Sequence, residues 1–368
     1  MGSLEEQAVQ ALAERAGIGA VRSIAPMAGG ANNRVFQLEA EKDTYLLKSY
    51  FRHPEDPRDR LGTEFAFSQF AWNHGVRCIP QPLASDPAAS LGLFEFVFGS
   101  SMKGTVAGEA AVEQAIEFFR TLNRARRQDE ASKLPRASES CLSLDDHFNT
   151  VNRRVERLQL LPVGAEVDLA AASFVEQEVV PAWCQVLATS RAVGASHCLS
   201  SDVPLRTDDR CLSPSDFGFH NAILANDGRL RFIDFEYAGW DDPSKLICDF
   251  FCQPAVPATP QAFERFARAV VAEFPNPAIH LARARLLLPI YRVKWVCIML
   301  NEFLPVSGSR RAFSGTSVER DARKISQLAK AQAALAFVLG GTGIPACAST
   351  PPQAGMPVPP GQVSRKVA

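Results

Sequence analysis

The sequence predicts an α+β protein of two lobes: a small antiparallel sheet with one or two helices first, then a larger, mainly helical part. Three observations carry this. The chain has 368 residues, more than one core usually organises, and 46% of them are hydrophobic, enough to build real cores. From Val21 to Phe51 apolar and polar side chains alternate in short runs broken by Gly, Asn and Asp, the pattern of half-buried strands. From Gly108 onward the apolar residues fall at helical spacing in long segments. The change near Phe98 to Gly104 sets the expected lobes at residues 1–98 and 99–340, followed by a tail at 341–368.

Element by element, MGSLEEQAVQALAERAG opens the chain as an amphipathic helix. The strand region from Val21 to Phe51 comes in three pieces. Gly29-Gly30-Ala31-Asn32-Asn33 makes its first turn, and Glu41-Lys42-Asp43 the second, between RVFQLEA and TYLLKSYF. LGTEFAFSQFAWNHGV is helical in spacing and stops at Gly75. CIPQPLA and SLGLFEFVFG form a further strand pair. Helices are expected at 109–127, 143–160 and 166–192, then a loop and hairpin at 212–236 turning on Asn226-Asp227-Gly228, then helices again from 243 to 339. The tail is dense in Pro, Gly, Ala and Ser without periodicity, the composition of a disordered segment.

Charge narrows the partners. With 39 Lys and Arg against 40 Asp and Glu, net charge is −1, so neither nucleic acid nor an anionic membrane surface is expected. Acids stand in the first residues where a secretory signal needs basic and then apolar ones, and Glu6 stands where a myristoylation signal needs Ser or Thr. ARARLLLPIYRVKWVCIMLNEFLP is interrupted by Arg285, Arg292 and Lys294, so it reads as a core helix and not a membrane span. A cytoplasmic protein is expected. The nine cysteines are odd in number and include no Cys-x-x-Cys, so they read as reduced apolar residues, with Cys248 and Cys252 on one helix face.

The chemistry rests on a spacing in PSDFGFHNAILANDGRLRFIDFEYAGWDDP: Asp216, Asn221 five residues on, and Asp234 thirteen further. Asp216-Phe217-Gly218 reads like the metal-binding DFG of protein kinases, but that role needs a catalytic Asp about eighteen residues upstream, where this chain has Cys198. Reading Asp216 as the catalytic Asp instead places Asn221 and Asp234 as Mg²⁺ ligands and leaves Gly218 without a chemical role.

Phosphoryl transfer from ATP also needs a phosphate cradle and cations. Gly29 and Gly30 between two strands, with Asn32 and Asn33 beside them, form either a plain hairpin turn or a loop whose N–H groups meet phosphate. Lys48 sits in an apolar strand, and Glu64 on the next helix would hold its ammonium toward the α- and β-phosphates. The backbone of Glu95, Phe96 and Val97, between the lobes, could pair with adenine. Glu236 is either a second metal ligand or a solvent-facing residue. Asp241 and Asp242 precede Pro243, where helix N-capping is the simpler account. His220 fits packing or hydrogen bonding better than phosphate contact, and Asp145, Asp146 and His147 read as the start of a helix or, less simply, as acceptor contacts.

These residues resemble the aminoglycoside phosphotransferase and choline kinase superfamily, which has the protein-kinase-like fold. The resemblance covers about residues 20–340 and is strongest at SPSDFGFHNAIL and RFIDFEYAGWDDP. It implies that Asp216 is the catalytic Asp of a His-x-Asp-x-x-x-x-Asn loop, Asn221 its metal-binding Asn and Asp234 the second metal ligand, with ATP and Mg²⁺ as cofactors. GGANNRVF is similar to the family's phosphate loop, Lys48 to its nucleotide Lys and Glu64 to the paired Glu. Pro214 departs from the family, which has His there as a support for the loop. Asp234-Phe235-Glu236-Tyr237 looks more like the choline-kinase branch, and SPSDFGFHN like a bacterial subgroup associated with surface carbohydrates, which implies a sugar or aminosugar as the hydroxyl acceptor.

A small-molecule kinase is therefore expected. The alternative is a nucleotide-binding pseudokinase acting as a regulatory or scaffold module, which Pro214 favours. Lys48, Glu64, Asp216, Asn221 and Asp234 together argue against it, since a scaffold needs no such set. A protein kinase proper lacks room for its activation segment, because DDPSKL begins within ten residues of Asp234.

Overall fold

Alternating side chains build the expected sheet at the N-terminal end. In the computed structural model, which describes residues 3–27, 33–52, 56, 58–105, 107–162, 164–304 and 320–339, strands β1 (Val21–Met27), β2 (Asn33–Ala40) and β3 (Thr44–Tyr50) pair antiparallel in succession. β4 (Pro82–Asp86) and β5 (Leu91–Glu95) complete a five-stranded sheet of order β1-β2-β3-β5-β4. Central β3 sets Lys48 opposite Val35 on one side and Gly92 on the other. Leu38, Leu47, Leu91 and Leu93 close over Val9, Leu12 and Ala13 of α1 (Ser3–Ala16), forming a small core.

Helix α2 (Arg60–Asn73) begins where Asp59 Oδ1 accepts from Gly62 N at 2.9 Å. It touches β4 and β5, yet it buries Phe67, Phe70 and Ala71 in a second, larger core with the C-terminal helices. The helix that carries Glu64 is thereby bolted to both halves of the molecule.

The second half begins with β6 (Gly99–Ser101), which pairs with β8 (Ala222–Ala225); β8 pairs in turn with β9 (Leu230–Phe232). The β8–β9 turn runs through Asn226-Asp227-Gly228, and Gly228 takes the left-handed conformation at φ 76°. β7 (Cys211–Ser213) and β10 (Gly239–Asp241) form a separate antiparallel pair. Around them stand α3 (Glu109–Arg124), α4 (Leu144–Leu158), α5 (Glu166–Phe174), α6 (Val180–Ser196), α7 (Pro243–Cys252), α8 (Phe263–Val271), α9 (Pro277–Met299) and α10 (Arg320–Leu339). One π turn, Val175–Val179, joins α5 to α6. α9 is buried on most of its surface and touches α4, α6, α7, α8 and α10.

The expected α+β class with a small antiparallel sheet and a larger helical part holds. Details differ. The block from 243 onward is broken at 253–259, because Pro254, Pro257 and Pro260 cannot continue α7, and again at 272–276 before Pro277. Asn33 opens β2 instead of sitting in the preceding turn, and β5 stops at Glu95. Among the described residues no helix is long and apolar enough to cross a membrane. The described cysteines are free, and Cys248 and Cys252 both face α9, with Sγ 3.3 and 4.0 Å from the carbonyls of Ala284 and Leu288. Gly29, Gly30, Asn32 and the tail at 341–368 lie outside the described residues.

Candidate functional site

Asp216 is delivered by a tight turn at the end of β7. Ser215 N donates to Ser213 Oγ at 3.0 Å, Asp216 N donates to Pro214 O at 3.0 Å, and Ser215 between them has φ 68°. A three-residue turn of positive φ is rare and strained, so it persists only where its surroundings over-determine it. They do so here. Leu212 lies opposite Trp240 of β10 on one side; on the other, Asn123 of α3 brackets its peptide, Nδ2 donating to Leu212 O at 3.0 Å and Oδ1 accepting from Leu212 N at 2.9 Å.

The Asp216 carboxylate is 40% exposed, open to a ligand. His220 Nε2 lies 3.0 Å from its Oδ1, and Asn221 Nδ2 donates to Oδ2 at 3.2 Å and to the Asp216 carbonyl at 3.0 Å. Burial pushes the carboxyl up, but the bonds from His220 and Asn221, with Lys294 nearby, outweigh it and hold the group below the ordinary carboxylate value. Asp216 is therefore ionised at neutral pH, as an acceptor of a hydroxyl proton must be.

Asn221 O accepts from Ile233 N at 3.0 Å, which sets Asn221 beside the segment that carries Asp234. Asp234 has φ 70°, a left-handed conformation that Asp tolerates better than most residues. Lys48 Nζ reaches three oxygens: Glu64 Oε1 at 2.9 Å, Glu64 Oε2 at 2.7 Å and Asp234 Oδ1 at 2.9 Å. Tyr50 OH and Phe235 N also donate to Glu64, at 2.7 and 3.3 Å. Burial works against the Lys48 charge, but Asp234, Glu64 and Glu236 outweigh it and keep the ammonium well above its ordinary pKa. Burial lifts the Glu64 carboxyl above its usual value against the pull of Lys48. Among the described residues no three His, Cys, Asp or Glu side chains are grouped to hold a metal by themselves. Asn221 and Asp234 each carry a hard oxygen donor, a pair that would suit Mg²⁺ if water and phosphate oxygens completed its shell.

Other expected residues fall differently. Glu236 does not face solvent: it is buried, accepts from Asn33 Nδ2 at 2.8 Å and lies 3.7 Å from Arg60 Nε. Glu95 N is used within the sheet, donating to Gln81 O at 2.9 Å. Phe96 and Val97 make no backbone-to-backbone hydrogen bond among the described residues. Asp242 caps α7, accepting from Ser244 N at 2.6 Å, and Asp146 closes a capping box with Ser143 at the start of α4. His147 is buried behind it, bonded to Asp242 and Tyr291.

A model of the phosphotransferase enzyme family matches residues 23–287, a span that includes Lys48, Glu64, Asp216, Asn221 and Asp234. The chain belongs to the phosphotransferase enzyme family. Similar solved structures include a spectinomycin phosphotransferase in complex with ADP and spectinomycin, at TM-score 0.56 and 13% identity, covering 91% of this chain and 98% of that one. Choline kinase from Streptococcus pneumoniae matches at TM-score 0.53 and 14% identity over 91% of this chain and all of its own. A thermostable mutant of an aminoglycoside phosphotransferase, in ternary complex with ADP and hygromycin B, matches at TM-score 0.51 and 17% identity, covering 93% of this chain and 100% of its own. At such identities these structures show the fold, which is protein-kinase-like. A search of curated proteins gives no significant match.

The phosphotransferase is accordingly a small-molecule kinase, as the motif spacing led us to expect. Its support residues were harder to find in sequence. Asn123 signals itself only as an amide among buried apolar positions of α3. Lys294 and Asp249, paired at 2.9 Å, are opposite charges buried between α9 and α7, and Trp295 Nε1 donates to the same carboxylate at 2.9 Å. Close by, a cavity of about 510 Å³ opens among α7, α8, α9 and α10, lined by Phe251, Phe263, Trp295 and Phe337 with Glu264 and Arg292. Gln253, one residue past the lining Cys252, lies beside Gly218 of the phosphotransferase's Asp216 loop.

Proposed function

We propose that the phosphotransferase moves the γ-phosphoryl group of ATP, with Mg²⁺, onto a hydroxyl of a sugar or aminosugar in the cytoplasm. The observation that carries this is the run of contacts from Glu64 through Lys48 to Asp234, and from Asn221 to Asp216, which gathers the candidate cation, metal donors and base. Lys48 would meet the α- and β-phosphates, and Asp216 would orient the acceptor hydroxyl and take its proton. Asn221 and Asp234 would hold the divalent cation, whose charge offsets that of the phosphates. Phe96 and Val97, with backbone groups outside any ladder, would meet adenine, with Glu95 at the edge of that contact; Gly29, Gly30, Asn32 and Asn33 would cradle phosphate. Residues 1–98 would thus hold the nucleotide and 99–340 the acceptor. The aromatic cavity favours a sugar, whose apolar ring face stacks on Trp or Phe while its hydroxyls bond the polar rim.

The test is ATP consumption with Mg²⁺ across sugars, aminosugars and other alcohols. Asp216→Asn should lower kcat by about 10²–10⁴-fold. Undiminished turnover by that variant would overturn the mechanism. Consumption with non-sugar alcohols alone would sink the sugar assignment and leave the kinase standing.

A further inference from the structure

Pro214 leaves the Asp216 loop without the histidine expected two residues before its aspartate. A different histidine reaches the same carboxylate. His220, four residues after Asp216, places Nε2 3.0 Å from Oδ1, while Asn221 holds Oδ2. An ionised carboxylate only accepts hydrogen bonds, so the contact requires the proton on Nε2. The ring is 15% exposed, and its Nδ1 is buried without a hydrogen-bond partner among the described residues. The imidazole is thus committed to one bond, the one to Asp216.

Gly218 makes that bond possible. A Cβ at Gly218 would stand 2.8 Å from His220 Nδ1, 3.0 Å from Cε1 and 3.1 Å from Gln253 Cγ, so no side chain fits without moving the ring. The backbone of Gly218 is extended at φ 170°, so space and not backbone freedom calls for glycine. Phe217 and Phe219 on either side pack against Phe250, with ring centroids 5.0 and 5.1 Å away, and fix the loop from below.

We propose that His220 is the positioning residue of the transfer: it holds Asp216 by Oδ1 in the orientation presented to the acceptor hydroxyl, in place of the support absent at Pro214, and Gly218 exists to admit its ring. This rests on the reading of Asp216 as the base. A carboxylate has about four lone-pair directions, so the bonds from His220 and Asn221 leave others for the acceptor. His220 acts through Asp216, so its loss lowers kcat and leaves ATP binding alone.

The experiment compares His220→Ala, His220→Gln, His220→Phe, Gly218→Ala and Asp216→Asn in MgATP turnover with a mixture of sugars and aminosugars. Binding of a non-hydrolysable ATP analogue is measured in parallel. His220→Ala should lose about 100-fold in kcat, the scale of an ångström's misplacement, with ATP KM and analogue affinity within about twofold. His220→Gln, whose amide can donate to Oδ1, should recover most of the loss; His220→Phe, which only fills space, should not. Gly218→Ala should fall in the same direction as His220→Ala. Rescue by Phe equal to that by Gln, or wild-type turnover in His220→Ala, overturns the inference. Activity retained by Asp216→Asn overturns the underlying reading instead. A check independent of turnover is the ¹⁵N spectrum of the folded protein: Nε2 of His220 should carry a proton, and a bare Nε2 would sink the proposal.

Discussion

Lys48 is gripped by two carboxylates, and only one of them stands near it in the chain. Glu64 lies sixteen residues away, on the next helix, and could be paired with Lys48 from sequence; the 2.9 Å bond to Asp234 spans 186 residues. Glu64 is 4% exposed and Lys48 7%, so removing the cation strands a buried charge. Lys48→Met should therefore destabilise the protein by about 3–5 kcal/mol, and Glu64→Gln in the same chain should return much of that loss. Urea denaturation of both single variants and the double decides it; a Lys48→Met loss below about 1 kcal/mol would contradict the arrangement. At this scale the spacing of Asp216, Asn221 and Asp234 was legible because a short loop and one hairpin connect them. Glu236 was not. Whether a residue at a strand exit meets solvent depends on what packs over it, here Asn33 from the far end of the chain.

Strands and helices were legible wherever side-chain periodicity and turn residues agreed, as in β2, β3, α2 and the β8–β9 hairpin. Sequence reading ran over the break after α7, although Pro254, Pro257 and Pro260 forbid a helix there for a purely local reason. What no periodicity reveals is how one element holds another. β7 is three residues long, and its hold on the strained turn before Asp216 depends on Asn123 of α3, which is fully buried. Asn123→Leu would leave the N–H and C=O of Leu212 without their partner, at about 1–3 kcal/mol for each unsatisfied group. The expected outcome is a loss of about 2–6 kcal/mol in chemical denaturation, together with a fall in kcat greater than any change in ATP KM. Unchanged kcat in the folded variant would show that β7 does not set the position of Asp216.

Across the whole molecule, charge is buried in the larger core as well as at the site. His147, Asp242 and Arg283 join α4, α7 and α9, with His147 Nε2 3.1 Å and Arg283 Nη2 2.6 Å from Asp242 Oδ2. Burial works against the His147 charge, but Cys141 and Asp242 outweigh it and lift its pKa from 6.5 to about 9. Folding therefore raises proton affinity at this ring. Its contribution, on the order of 3 kcal/mol, is fully present below about pH 6.5 and is lost as pH rises through about 9. Urea midpoints should fall between pH 6.5 and 9.5 in the native chain, and His147→Gln should flatten that part of the profile. A native profile flat across this range would count against a charged His147.

By itself the sequence determined the fold class, most of the elements and the positions of Asp216, Asn221 and Asp234. These are set by periodicity, turn chemistry and short spacings, all of which act within a few tens of residues. Only the tertiary structure decided that Lys48 bridges Glu64 and Asp234, that Glu236 is buried against Asn33, and that His220 reaches the carboxylate beside Pro214 through the space left by Gly218. Such contacts depend on how packed elements meet, because an interior at crystal-like density lets one side chain's volume settle where another can point.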